Sequence, residues 1–111
     1  MPAADFLLEH MSESLYDPVD PTQVGSLSPA LRAHVNGEIY RFAASATRAR
    51  FRRDPVRWCG VLRDPVTGVR FRPSRSAPRY DMADGPYFFT SDSCRRAFAA
   101  DTARFAIHRS Y

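Results

Sequence analysis

The residues with the greatest capacity for metal or redox chemistry are the few cysteines and histidines of the chain. Four of them are candidate metal ligands: Cys94, His34, Cys59 and His108. Mixed cysteine and histidine sets suit zinc or copper, so these four predict a Zn or Cu site if folding brings them together. A closed zinc site needs about four nitrogen or sulfur ligands, which excludes a site made of cysteine alone. The sequence also has no C-x-x-C or H-x-x-x-H pair.

Cys94 has a chemical feature of its own, because it falls in the first turn of a predicted helix. The unpaired N–H groups and the dipole of a helix start favour the thiolate, and Arg95 and Arg96 follow it directly. A reactive thiol is one interpretation, and a small buried hydrophobic side chain is the one we favour. No disulfide with Cys59 is predicted, since two cysteines are too few for a stapled secreted scaffold.

Groups for catalysis are not visible in the sequence. It has no Ser-His-Asp or Cys-His arrangement, no glycine-rich phosphate loop and no carboxylate pair within an apolar run. The prediction is that the protein is not an enzyme.

An internal repeat organises the elements that must position these residues. Asp17-Pro18-Val19 recurs as Asp64-Pro65-Val66, an offset of 47 residues (64 minus 17). The same offset pairs Tyr40 with Tyr87, Phe42 with Phe89, Arg48 with Arg95, Phe51 with Phe98, Asp54 with Asp101 and Trp58 with Phe105. The paired aromatic residues are predicted to form the core rather than stacking sites for a ligand.

Each copy is predicted to be a β-hairpin followed by a short helix. In the first copy, strands over 31–35 and 38–43 flank the Asn36-Gly37 turn, and Ser45 caps a helix that runs through Arg53. In the second copy, strands over 80–83 and 87–90 flank an Asp84-Gly85 turn. A helix follows over 93–101, with Ser91 or Asp92 as its cap.

The predicted fold class is therefore α+β. At 111 residues the chain has room for one ordinary domain. We expect two tandem β-hairpin-plus-helix units, residues 16–62 and 63–111, packed as one domain, with an N-terminal helical arm over residues 1–15. Phe6, Leu7, Leu8, Met11 and Leu15 have helical spacing, and we favour packing of the arm within the chain over packing against a second chain.

Charge and hydropathy limit the kinds of partner and the cellular location that we expect for the chain. The net charge of +4 comes from arginine alone, with clusters over 48–57 and 70–79. A solvated surface is favoured over a site for phosphate or an acidic partner, and nucleic-acid binding is the least favoured function. No apolar run approaches the roughly 20 residues that span a bilayer, and Asp5 and Glu9 stand where a signal peptide is positive. We expect no membrane insertion and a cytoplasmic location.

The second copy resembles the YHS domain, through residues 63–68, the run 87–94 and Phe98, and the first copy does so more loosely through 16–19, 36–43 and 51–58. YHS domains and the related TRASH group are associated with metal handling, in copper-transporting ATPases and in hydroxylase subunits of di-iron monooxygenases. The resemblance implies three cysteine ligand positions per copy. They are occupied here by Thr67, Thr90 and Cys94 in the second copy and by Asp20, Ala43 and Thr47 in the first.

Two functions are carried forward from these patterns. The first is a non-catalytic accessory or binding module of a larger complex, an oxygenase or a metal transporter system by family analogy. The alternative is a small transition-metal carrier or sensor that uses Cys94 with His34, Cys59 or His108.

Overall fold

The computed structural model describes residues 15–107, so His108 and residues 1–14 of the predicted arm lie outside the described residues. Within this range the chain is α+β, with three two-stranded hairpins and four α-helices. The strands are β1 (Arg32–Val35), β2 (Glu38–Arg41), β3 (Leu62–Arg63), β4 (Arg70–Phe71), β5 (Arg79–Met82) and β6 (Gly85–Phe88). The helices are α1 (Ser45–Arg53), α2 (Pro55–Trp58), α3 (Asp92–Ala100) and α4 (Thr102–Phe105), and a 3₁₀ turn covers Pro29–Leu31.

The described chain divides into two units by its internal contacts. Unit 1 comprises residues 15–33 and 39–54, and unit 2 comprises residues 34–38 and 55–107. The boundaries drawn from the sequence repeat stay a prediction, because contacts and repeats define units differently. None of the helices within residues 15–107 has the length and apolarity that crossing a membrane requires.

Unit 1 is built around the rings of Phe42 and Phe51, which are both buried. Helix α1 starts at Ser45, so the predicted role of Ser45 as cap is wrong: the cap position is Ala44, whose side chain has no oxygen to accept a hydrogen bond. The helix ends as predicted at Arg53. Asp54 leaves the helical backbone with φ −148° and ψ 68°, because the following proline disfavours a helical conformation there.

Unit 2 has a core of four buried residues: Tyr87, Phe89, Cys94 and Phe98. Five partly buried hydrophobic residues surround it: Val66, Tyr80, Met82, Phe105 and Ala106. The predicted burial is confirmed for Phe42, Phe51, Tyr87, Phe89 and Phe98, whereas Tyr40 is only half-buried. Trp58 and Phe105 are also only half-buried. Each of these two ends a single-turn helix, and the guanidinium of the preceding arginine covers one face of its ring.

The two hairpins of the repeat use their glycines in different ways. Asn36 and Gly37 have φ values of 51° and 74°, which confirms the predicted two-residue turn of the first hairpin. In the second hairpin Met82 pairs with Gly85, so the loop is Ala83-Asp84 and the predicted turn is one residue out of register. A Cβ atom at position 85 would collide with the carbonyl oxygen of His34. Gly85 is thus required for close packing and does not form the turn.

Candidate functional site

The Asp-Pro-Val motif of the second copy forms a buried carboxylate site in unit 2. Asp64 has no exposed surface, and its Oδ1 accepts hydrogen bonds from the backbone N–H groups of Val66 (2.8 Å) and Thr67 (3.2 Å). Its Oδ2 accepts from the N–H and the hydroxyl of Thr90, both at 2.9 Å. Four donors match the roughly four lone-pair positions of a carboxylate. We call such a buried aspartate with its four donors a carboxylate cradle.

The motif of the first copy forms the same carboxylate cradle in unit 1. Asp17 is also completely buried. Its Oδ1 accepts from the N–H groups of Val19 (2.8 Å) and Asp20 (3.2 Å), and its Oδ2 accepts from the N–H of Ala43 (2.9 Å). The hydroxyl of Thr47 donates the fourth hydrogen bond to Oδ2. Three of the four donors therefore occupy the same places in the two copies.

The fourth donor comes from different places in the two copies. In unit 2 the hydroxyl belongs to Thr90, whose counterpart at the 47-residue offset is Ala43. In unit 1 it belongs to Thr47, whose counterpart is Cys94. Each copy thus has one hydroxyl donor for its carboxylate, from one of two positions near the start of the helix.

The hydrogen bonds of the cradles decide the charge state of both aspartates. Burial by itself would raise the pKa of Asp17, but the hydrogen bonds from Thr47, Ala43, Val19 and Asp20 outweigh it, and the pKa lies below its ordinary value. Burial acts in the same direction on Asp64, and its backbone and hydroxyl donors again lower the pKa. Both carboxylates are consequently ionised at neutral pH.

The positions that the family resemblance assigns to metal ligands lie around these carboxylates. Thr67 and Thr90 donate to Asp64, and the Sγ atom of Cys94 lies 3.6 Å from the hydroxyl of Thr90. The corresponding residues of the first copy, Asp20, Ala43 and Thr47, all donate to Asp17. In this chain all three positions donate to the carboxylate of the first copy, and two of the three donate to that of the second.

The candidate metal ligands do not form a cluster in the described part of the chain. Cys59 is buried with its Sγ 3.6 Å from the carbonyl oxygen of Gly60, and burial raises the pKa of its thiol to about 11. Cys94 is buried in the core of unit 2, and His34 is half-buried in β1. Within residues 15–107 no three His, Cys, Asp or Glu side chains are grouped to hold a metal ion. The Zn or Cu site, with His108 outside this range, stays a prediction.

Asn36 is a buried polar residue of unit 2 that sequence reasoning identified only as a turn former. Its Nδ2 donates to the carbonyl oxygens of Arg63 (3.0 Å) and Phe88 (2.9 Å), and its Oδ1 accepts from the N–H of Phe88 (2.7 Å). It has 1% of its surface exposed. The Asn-Gly pattern predicts the turn, but no local signal shows that the asparagine side chain bridges two distant strands.

Compared with protein-family models, with curated proteins and with solved structures, the chain has no significant match. The resemblance to the YHS domain therefore depends on the motifs themselves and on how their residues are used.

Proposed function

We propose that the chain is a tandem YHS-like protein that acts as a non-catalytic accessory or binding module of a larger complex. The observation that carries the proposal is the carboxylate cradle, which is present in both copies with the same hydrogen-bond pattern. Two unrelated segments are not expected to bury the aspartate of an Asp-Pro-Val motif with hydrogen bonds from equivalent donors. The cradles support a duplicated unit with an α+β scaffold.

The aromatic rings repeat with the cradles. In unit 1 the ring centroids of Tyr40 and Phe42 lie 4.9 and 5.1 Å from that of Phe51, with interplanar angles of 38° and 61°. In unit 2 the corresponding rings lie 4.7 and 5.3 Å from Phe98, with angles of 35° and 57°. This agreement supports the division of the chain into two copies of one hairpin-plus-helix unit.

The surroundings of Asp17, Asp64 and Cys59 support a structural rather than a catalytic role for these titratable side chains. A general base needs a lone pair directed at its substrate, whereas both motif carboxylates direct theirs at four internal donors and have no exposed surface. A nucleophilic cysteine needs a lowered pKa, whereas burial raises that of Cys59. Asp17, Asp64 and Cys59 thus act in the packing and hydrogen bonding of the fold.

Exposed apolar residues in unit 1 support a binding role. Tyr16 and Val24 pair across an isolated β-bridge and are 44% and 63% exposed, and Leu27 nearby in sequence is 73% exposed. Contiguous exposed apolar side chains mark surfaces that become buried on association, and the bridge places Tyr16 and Val24 next to each other. The partner class, an oxygenase or a metal transporter system, comes from the family analogy alone.

Size-exclusion chromatography of native extract tests this proposal, with the untagged chain detected by antibody at its natural abundance. We expect the chain to elute far above its own mass of 12.6 kDa, together with stoichiometric subunits that mass spectrometry identifies as those of an oxygenase or a metal transporter. Elution of the wild-type chain as a monomer overturns the proposal.

Metal analysis of the same untagged protein addresses the carrier alternative. The carrier predicts about one equivalent of zinc or copper in the wild-type chain and its loss in Cys94→Ser. A metal content that is negligible in both proteins rules out the carrier.

A further inference from the structure

Helix α1 differs from the matching helix of the second copy in its charge. Its sequence, Ser45–Arg53, contains four arginines and no acidic residue. Three of these arginines, Arg50, Arg52 and Arg53, are exposed and lie in the last turn. The helix therefore presents a concentration of guanidinium groups on the surface of unit 1.

Helix α3 neutralises its own arginines. The carboxylate of Asp92 lies 2.6 Å from Nη2 of Arg95 and 3.2 Å from Nε of Arg96. The position that corresponds to Asp92 in α1 is Ser45, which has no charge. Among residues 15–107, none forms an ion pair with Arg52 or Arg53.

We propose that Arg52 and Arg53 of α1 bind an acidic surface of the partner protein, an inference that rests on the proposed function and names the chemistry of the partner. A guanidinium group presents a planar fork of N–H donors that matches the two oxygens of a carboxylate. The positive charge of Arg52 and Arg53, which no ion pair among residues 15–107 balances, attracts such a surface from a distance and aligns it before contact. Arg52 and Arg53 are the central residues of this acidic-partner surface.

An acidic protein fits this surface better than a nucleic acid does. Binding of single strands uses several exposed aromatic rings on which successive bases stack. The rings that pack with α1 are not available for this, because Phe42 and Phe51 are buried and Tyr40 packs on Phe51, which leaves Tyr16 as an exposed ring of unit 1. Binding of duplex DNA commonly neutralises about 6–10 phosphates, and the exposed arginines of α1 are too few for that. Binding the carboxylate side chains of an acidic protein requires neither exposed stacking rings nor a long stripe of basic residues.

Paired charge removals in the two helices test the inference. Arg52→Gln/Arg53→Gln removes two charges from α1, and Arg95→Gln/Arg96→Gln removes two from α3, so each variant lowers the net charge from +4 to +2. The readout is the association rate constant with the nuclease-treated partner complex from native extract, at low and high salt. We expect about a tenfold slower association for the α1 variant at low salt and a change of less than about twofold for the α3 variant. Circular dichroism confirms that both variants fold.

The outcomes separate the two proposals. If the α1 variant associates as fast as the α3 variant, this inference is overturned and the accessory role stands. If nuclease treatment abolishes the association, the partner is a nucleic acid and the inference is likewise overturned. If the wild-type chain has no partner complex at all, both proposals fail together.

Discussion

The exchange of hydroxyl positions between the two carboxylate cradles predicts a rescue. Thr90→Ala removes the hydroxyl that donates to Asp64 at 2.9 Å but retains the backbone N–H donor. A buried hydrogen bond to a charged acceptor contributes about 1.5–3 kcal/mol, so we expect the free energy of unfolding to fall by about that amount. Adding Cys94→Thr places a hydroxyl where the first copy has Thr47. The double variant is therefore expected to regain most of the lost stability.

Thermal unfolding at pH 7 measures the rescue. For a chain of this size, 1 kcal/mol corresponds to about 4 °C in Tm, so Thr90→Ala should lower Tm by about 6–12 °C. The double variant should unfold within about 3 °C of the wild-type protein. The coupling free energy between the two substitutions is then at least about 1 kcal/mol, which is typical of residues that share one hydrogen-bond network.

Thr102→Ala provides the matched control for this cycle. Thr102 opens α4 and is not a donor of the cradle, so its combination with Cys94→Thr should be additive within about 0.5 kcal/mol. A coupling of that small size between Thr90→Ala and Cys94→Thr would refute the reasoning, because it would mean that position 94 cannot supply the fourth donor.

Four further outcomes are expected. Asp64→Asn turns an amide toward the donors of residue 90 and should cost about 2–4 kcal/mol in urea unfolding, whereas Asp92→Asn, on the surface, should leave the unfolding free energy almost unchanged. Because folding lowers the pKa of Asp17 and Asp64, Tm should fall as the pH drops below about 4, and less steeply in Asp64→Asn. Because folding raises the pKa of Cys59 from 9.0 to about 11, the free energy of unfolding should fall as the pH rises through that interval. At pH 8 a thiol reagent should modify Cys59 slowly in the folded chain and rapidly once the chain is denatured. Asn36→Ala leaves buried strand groups unpaired and should cost about 3 kcal/mol in the same urea assay.

The secondary structure could be predicted from local signals where those signals act alone. The Asn36-Gly37 turn and the Ser91 cap are confirmed, and the cap accepts a hydrogen bond from the N–H of Cys94 at 3.2 Å. The predicted Asp84-Gly85 turn is wrong, because Gly85 is needed for a different reason, which is the close approach of the His34 backbone. A local turn preference cannot anticipate a contact with a residue far away in the sequence.

The site was harder to predict than the fold. The repeat singled out the Asp-Pro-Val motifs, but it gave no sign that each aspartate would be buried as an acceptor for donors 26 residues away. The role of Asn36 depends on a partner 52 residues away. Spacing along the chain reveals elements of regular structure, whereas buried hydrogen bonds of this range depend on tertiary packing.

The carboxylate cradles also offer a physical reason for Thr90 and Thr47, which stand where the family resemblance implies cysteine. The hydroxyl of Thr90 lies 2.9 Å from the Asp64 carboxylate, and the Sγ atom of Cys94 lies 3.6 Å from that hydroxyl. Metal-binding thiolates at these positions would place negative charges beside a buried carboxylate, which disfavours the ionised form of both unless a cation is bound. A hydroxyl donor removes this dependence, because it stabilises the carboxylate without any ion. The Thr90→Ala/Cys94→Thr double variant tests the hydrogen bond on which this reasoning depends.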